Sequence, residues 1–120
     1  MNLKVPSNYF VNYNTSQDKV LIYLENEISK IVLYTYKDNP EILYIANLSV
    51  DANMRNKGIG TQLLSIAEDI ADQINIKTII LFVEKNTWMQ KWYNRLGYKK
   101  LKIFSENPPL ENAIWMKKDL

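Results

Sequence analysis

The run Arg55-Asn56-Lys57-Gly58-Ile59-Gly60-Thr61 sets two cations and two glycines directly before a stretch with helical periodicity. A strand, a glycine turn and a helix N-terminus together make an anion site. The first backbone N–H groups of a helix have no partner inside it, and they carry the positive end of its dipole. Gly58 and Gly60 would let the backbone approach a phosphate closely, with charge from Arg55 and Lys57 and a hydroxyl from Thr61. Two familiar phosphate loops do not fit. The Gly-Lys-Ser/Thr ending of a Walker loop is missing, and Leu63 stands where a dinucleotide fingerprint needs its third glycine. Taken alone, the two glycines serve equally well as a tight strand-to-helix turn without a ligand.

What the chain lacks narrows the chemistry further. Its 120 residues include no cysteine and no histidine. Disulfides, zinc–thiolate sites, cysteine nucleophiles, Ser-His-Asp catalysis and His-ligated metal are therefore excluded, and no metal site is expected. Reactivity is left to Tyr, Asp, Glu, Lys, Arg, backbone groups or a bound cofactor. A net charge of +2 is too mild to argue for nucleic acid, and Lys99, Lys100 and Lys102 are the only cluster such a reading could use. The start Met1-Asn2-Leu3-Lys4 leads to no hydrophobic region of signal length, and no apolar run approaches a membrane span. A cytoplasmic protein is expected.

The elements that must position the glycine run can be read around it. One domain over 1–120 is expected, with a short N-terminal segment, 1–19, in which only a short strand near 8–13 is suggested. Residues 20–24, 28–36 and 41–50 are rich in β-branched and aromatic side chains and are separated by polar turns, which predicts an antiparallel meander. Ile59, Leu63, Ile66, Ala67, Ile70 and Ile74 recur at spacings of three and four, predicting a helix. The apolar run 78–83 reads as a buried strand, so strand, loop, helix and strand imply a parallel pair. A second helix opening at Asn86-Thr87 would carry Met89, Trp92, Tyr93 and Leu96 on one side and stop at Gly97. Strands at 98–104 and 113–117, joined by a loop holding Pro108-Pro109, complete an α+β fold with a mixed sheet.

The segment Leu48-Ser49-Val50-Asp51-Ala52-Asn53-Met54-Arg55-Asn56-Lys57-Gly58-Ile59-Gly60 resembles the acetyl-CoA-binding segment of the GNAT superfamily of N-acetyltransferases, with Arg55, Gly58 and Gly60 filling its Gln/Arg-x-x-Gly-x-Gly/Ala loop. A second stretch, Asn86 to Tyr98, matches the family's later segment through Asn86, Tyr93, Gly97 and Tyr98. The ending Trp115-Met116-Lys117-Lys118-Asp119-Leu120 is similar to many family C-termini. The resemblance implies a mixed, mostly antiparallel sheet with a splayed parallel central strand pair, flanked by helices. It implies acetyl-CoA as co-substrate, its pyrophosphate held by the backbone N–H groups of Asn56, Lys57, Gly58, Ile59, Gly60 and Thr61. Leu48, Ser49 and Val50 would pair with the pantetheine arm, Asn86 would hydrogen-bond the cofactor, and Tyr93 would sit near the thioester sulfur.

Direct transfer needs neither Cys nor His. An amine attacks the thioester carbonyl, a backbone N–H near Val50 stabilises the oxyanion, and Tyr93 protonates the leaving thiolate. Tyr44 aligns where several relatives carry a basic Glu, which leaves Glu41 and Glu84 as the nearest carboxylates. Deprotonating a lysine at pH 7 costs about 4.6 kcal/mol against about 1 kcal/mol for an α-amine, so a low-pKa acceptor is the easier one. Relatives usually carry one or two helices after the first strand, and none is visible before Lys19. The acceptor groove is then open, or a second subunit completes it. Tyr9, Phe10, Tyr13 and Tyr36 would suit a homodimer interface or a substrate wall, although each taken singly reads more readily as core or scattered surface. The alternative reading is a GNAT-like module that holds CoA, or no ligand, and acts through protein contacts.

Overall fold

The computed structural model describes residues 2–101 and 111–120. The last three residues of the strand expected at 98–104, Lys102 among them, and Pro108-Pro109 lie outside these described residues. The chain opens as a meander of β1 (Phe10–Thr15), β2 (Lys19–Glu25), β3 (Ser29–Tyr36) and β4 (Asn39–Val50). A single 3-10 turn, Ala52–Met54, then leads to α1 (Ile59–Gln73) and β5 (Thr78–Glu84). The second helix α2 (Trp88–Arg95), the two-residue β6 (Lys99–Lys100) and β7 (Ala113–Asp119) follow. The seven strands form one sheet in the order β1-β2-β3-β4-β5-β7-β6, antiparallel except where β4 runs parallel to β5.

Alternation along the strands decides which face is covered. Ile22 and Leu24 of β2, Ile31 and Leu33 of β3 and Ile79 of β5 are fully buried on the same side. Burying each such side chain stabilises the fold by about 1.5–3 kcal/mol. Both helices pack on this side. Leu63, Leu64, Ile66, Ala67, Ile70 and Ala71 make the buried stripe of α1, and Met89, Trp92, Tyr93 and Leu96 of α2 join the same core. The residues between them in each strand face the other way, where Tyr44, Ile80 and Trp115 form a second, smaller cluster. Among the described residues no helix covers that second face.

The helix ends follow from the sequence. Thr87 caps α2, its side chain accepting from the N–H of Gln90 at 3.4 Å. At the other end Gly97 adopts φ +98°, which lets the N–H of Tyr98 reach the carbonyl of Tyr93 at 3.0 Å and that of Gly97 reach Asn94 at 3.1 Å. The helix therefore stops where expected, with Tyr98 folded back against Tyr93. Asn75, at φ 60°, ends α1 in the same way, with Ile76 N–H bonding Ala71 at 2.8 Å. Short of these points, β4 begins two residues earlier than anticipated, because Tyr36 and Asn39 pair across a two-residue turn.

Of the N-terminal aromatics, Tyr9 is 6% exposed and belongs to the main core, the more ordinary of its expected readings. Phe10 next to it is 74% exposed, Tyr13 is exposed, and Tyr36 is half-buried. Lys4 is tied to α1 through both its backbone groups: its N–H donates to Gln73 Oε1, and Gln73 Nε2 donates to its carbonyl, each at 2.8 Å.

Candidate active site

The parallel pairing of β4 with β5 holds only from Ile42 opposite Thr78 to Tyr44 opposite Ile80. The cause lies on the other side of β4. There Leu33 opposes Ile45 and Val32 opposes Asn47, so Ala46 is one residue too many for the ladder and the strand bulges. Beyond Tyr44 the strand turns away from β5, and a cleft of about 160 Å³ opens between residues 45–48 and 81–83. Met89 and Tyr93 of α2 close it on the helix side. Backbone N–H and C=O groups on the facing edges of the two strands are thereby left for a ligand. A larger hollow of about 620 Å³ lies by Asn2, Lys4, Asp69 and Gln73, where the N-terminal segment crosses the end of α1. Its Gln73 amide is already bonded to Lys4 and to Asp69, which leaves it no convergent chemistry.

The glycine run lies one short turn beyond β4. Asp51 accepts from the N–H of Asn53 at 3.3 Å, and Arg55 Nε donates to the carbonyl of Val50 at 3.3 Å, pinning the loop to the strand end. Asn56 and Gly58 adopt φ of 64° and 78°, and Gly58 is the residue from which α1 starts. Gln62 makes the first intrahelical bond, to Gly58. The backbone N–H groups of Asn56, Lys57, Gly58, Ile59, Gly60 and Thr61 donate to no group among the described residues. No acidic side chain occupies the first turn of α1, although the dipole would favour one there. This is an anion cradle by geometry and by charge.

The two glycines differ in their reasons. A Cβ on Gly58 would meet no atom within 4 Å, so its positive φ and the open space above it are what the loop uses. A Cβ on Gly60 would lie 3.2 Å from Cη2 of Trp92, so Gly60 is small because α2 packs against it. Trp92 in turn lies against Tyr93, with ring centroids 4.9 Å apart, so Gly60, Trp92 and Tyr93 link the cradle to the cleft.

Tyr93 lies on the inner side of α2, 4% exposed, and its hydroxyl makes no hydrogen bond among the described residues. Burial pushes its pKa up to about 12, so it keeps its proton throughout the neutral range. Tyr98 packs edge-on against it at 5.6 Å. The Tyr98 hydroxyl is buried without a hydrogen-bond partner among the described residues, and burial, then the Glu68 carboxylate and Tyr93, drive its pKa further up. Lys118 covers this ring at 5.7 Å while bridging to Glu68 at 2.7 Å. Asn86, at φ 60°, occupies the turn between β5 and α2, with its N–H donating to Gln90 Oε1 at 2.7 Å and its side chain exposed.

Of the carboxylates considered as bases, Glu41 lies before Ile42 and thus at the closed end of the strand pair. Glu84 lies at the open end, two residues beyond Phe82 on the same side of β5, and is exposed. Tyr44 is 3% exposed and stacked on Tyr34, far from serving as a base. Of the expected cofactor edge Leu48, Ser49 and Val50, the cleft takes in Leu48 and continues to Ile45. Ala46, Asn47 and Phe82 also line it, and the sequence reading did not single them out. A bulge has no composition of its own, so only a pairing register could have revealed it.

Among known proteins, the chain matches the model of the acetyltransferase (GNAT) family over residues 7–98. It is 31% identical over 98 residues to YxbD, an uncharacterized protein of Bacillus subtilis (strain 168), and that match takes in 80% of this chain and 57% of YxbD. A solved GNAT family acetyltransferase from Elizabethkingia anophelis, with acetyl-CoA bound, superposes with a TM-score of 0.66 at 17% identity, covering 96% of this chain and all of that one (100%). An acetyltransferase from Bacillus cereus ATCC 14579 superposes with a TM-score of 0.65 at 24% identity, covering 86% of this chain and 74% of that one. The splayed mixed sheet is the fold these structures share with this chain.

Proposed function

The chain belongs to the acetyltransferase (GNAT) family, and we propose that it transfers an acetyl group from acetyl-CoA directly to an amine. The observation that carries this reading is the adjacency of the β4–β5 cleft to the unpartnered N–H groups at the start of α1. A pyrophosphate fits the cradle, since six N–H groups from Asn56 to Thr61 are free, Lys57 adds charge, and the space above Gly58 is open. The pantetheine arm would then enter the cleft as an added edge on β4, beside Leu48 and Asn47, with Asn86 at the mouth. Acetyl-CoA supplies the activated acyl group as a thioester.

The residues of the chain do the rest. Backbone N–H groups on the open edge of β4 are placed to hydrogen-bond the thioester oxygen as negative charge develops on it. Tyr93 faces the sulfur side of the cleft. With its pKa at about 12 it is too weak an acid to hand its proton fully to a thiolate of pKa about 8.5, so it acts as a hydrogen-bond donor that steadies the departing sulfur. The proton that the attacking amine gives up passes to the departing thiolate or to water. Glu84, exposed at the mouth, is the carboxylate positioned to take the earlier proton of an incoming ammonium, before the free amine attacks.

The test combines binding with turnover. Acetyl-CoA is expected to raise the thermal midpoint where ATP and NAD do not, and to release free CoA thiol only when an amine is added. Stabilisation without amine-dependent thiol release would identify a CoA-binding module. No stabilisation by acetyl-CoA or CoA would overturn the reading altogether.

A further inference from the structure

The second face of the sheet carries a continuous run of aromatic rings that ends at the cleft. Tyr34 and Tyr44 stack at 4.8 Å with an interplanar angle of 6°, and Tyr36 meets both edge-on, at 5.6 and 5.7 Å. Tyr44 contacts Trp115 at 6.3 Å, and Trp115 contacts Phe82 at 5.9 Å. Phe82 is half-buried and belongs to two structures at once: it packs in this cluster and lines the cleft. We infer that the amine acceptor is an aromatic amine of low basicity, whose ring packs against Phe82 at the cleft end of this ladder.

This rests on the acetyl-transfer reading, and two observations support it. First, the helix-side mouth of the cleft is closed by Met89 and Tyr93 and adjoins the anion cradle, so a cofactor held there leaves the second face as the approach for an acceptor. Among the described residues, Phe82 is the ring of that face that also lines the cleft. A flat ring there gains edge-to-face or offset contacts that an alkyl chain does not. Second, the chain has no histidine, and among the described residues no carboxylate lines the cleft, with Glu84 exposed outside it at the mouth. The amine must therefore shed its proton before it reaches the thioester, which low basicity eases.

The experiment compares phenylalaninamide and alaninamide as acceptors, α-amines of similar basicity that differ in the ring. Phenylalaninamide is expected to show a kcat/KM about tenfold above alaninamide. Phe82→Leu should bring the ratio of the two close to one, whatever it does to the rate they share, and Phe82→Tyr should restore the ratio. Equal values for the two amides in the wild type would overturn the inference while leaving acetyl transfer intact. Loss of the difference in Phe82→Leu without its return in Phe82→Tyr would also overturn it. Should no amine turn over, titration of the CoA-saturated protein decides the matter, with the Trp115 indole resonance as reporter. A shift with phenylalaninamide and not with alaninamide supports an aromatic site independently of catalysis, and no differential shift refutes it.

Discussion

The two glycines of the cradle make a discriminating pair, because alanine harms them for different reasons. At Gly58 the backbone is left-handed, at φ 78°, and an L-residue there costs about 1–2 kcal/mol. With an unfolding entropy of about 2.1 cal/mol/K per residue, each kcal/mol lowers the midpoint of this chain by about 4 °C. The added methyl meets no protein atom, so the apoprotein loses only that strain, while a phosphate over the loop would meet the methyl directly. At Gly60 alanine is the better helix former by about 1 kcal/mol, offset by a 3.2 Å approach to Trp92. Its apoprotein stability should stay near that of the wild type. Thermal unfolding is followed with and without acetyl-CoA. At a hundred times its dissociation constant the ligand should stabilise the wild type by about 2.7 kcal/mol, roughly 11 °C. For Gly58→Ala, a tenfold weaker affinity would leave about 1.4 kcal/mol at the same concentration. If Gly58→Ala lowers the apoprotein midpoint as expected but keeps the whole ligand-induced shift, the free N–H groups do not hold the pyrophosphate and the loop is only a turn.

Tyr93→Phe should lower kcat about ten- to a hundredfold in a steady-state thiol-release assay, with the KM for acetyl-CoA unchanged, because the lost hydrogen bond forms only as the sulfur departs. Alkaline unfolding should expose the buried phenols. The folded pKa of Tyr93, about 12, lies above the unfolded value near 10, so its contribution is fully present below pH 10 and is lost as pH rises through 12, a fall of about 2–3 kcal/mol. Tyr98 acts in the same direction, and urea titrations from pH 8 to 12 should show Tyr93→Phe flattening the decline. Tyr98→Phe should raise the urea midpoint by the equivalent of about 1–2 kcal/mol, since it removes a buried hydroxyl with no partner among the described residues. A lower midpoint would mean that the hydroxyl is satisfied by a buried water.

Local patterns carried the helices and most strands. The spacing of Leu63, Ile66, Ala67 and Ile70 marks α1, and Thr87 with Gly97 marks both ends of α2, because caps and periodicity depend only on near neighbours. The glycine cradle was legible for the same reason, although the split in roles was not: the need for a small residue at Gly60 comes from Trp92, thirty-two positions away. Tyr9 could not be told from its exposed neighbours Phe10 and Tyr13, because its burial comes from main-core packing, with no alternation inside its own segment to announce it. The splay between β4 and β5 was expected through the family resemblance, and the structure shows it. The bulge behind it follows from which residue of β4 opposes which of β3, a long-range register that composition does not encode.

That register is also the point where stability and function meet. A regular ladder would continue the pairing of Ile42–Tyr44 with β5 through Leu48 and leave no cleft at all, with the backbone groups on those edges bonded to each other. The extra residue at Ala46 forfeits those bonds, and each exposed pair is worth about 0.5–1.5 kcal/mol net when made. The sheet tolerates this because the paired side of β5 is held by β7 along its whole length, from Thr78 opposite Asp119 to Glu84 opposite Ala113. Meanwhile β4 keeps β3 on either side of the bulge. The opening is therefore local and held rigidly at both rims, and the unmade bonds are confined to the two edges that a pantetheine arm would occupy. A ligand lying there completes the ladder that the bulge interrupts, so stabilisation of the protein and binding of the arm draw on the same backbone groups.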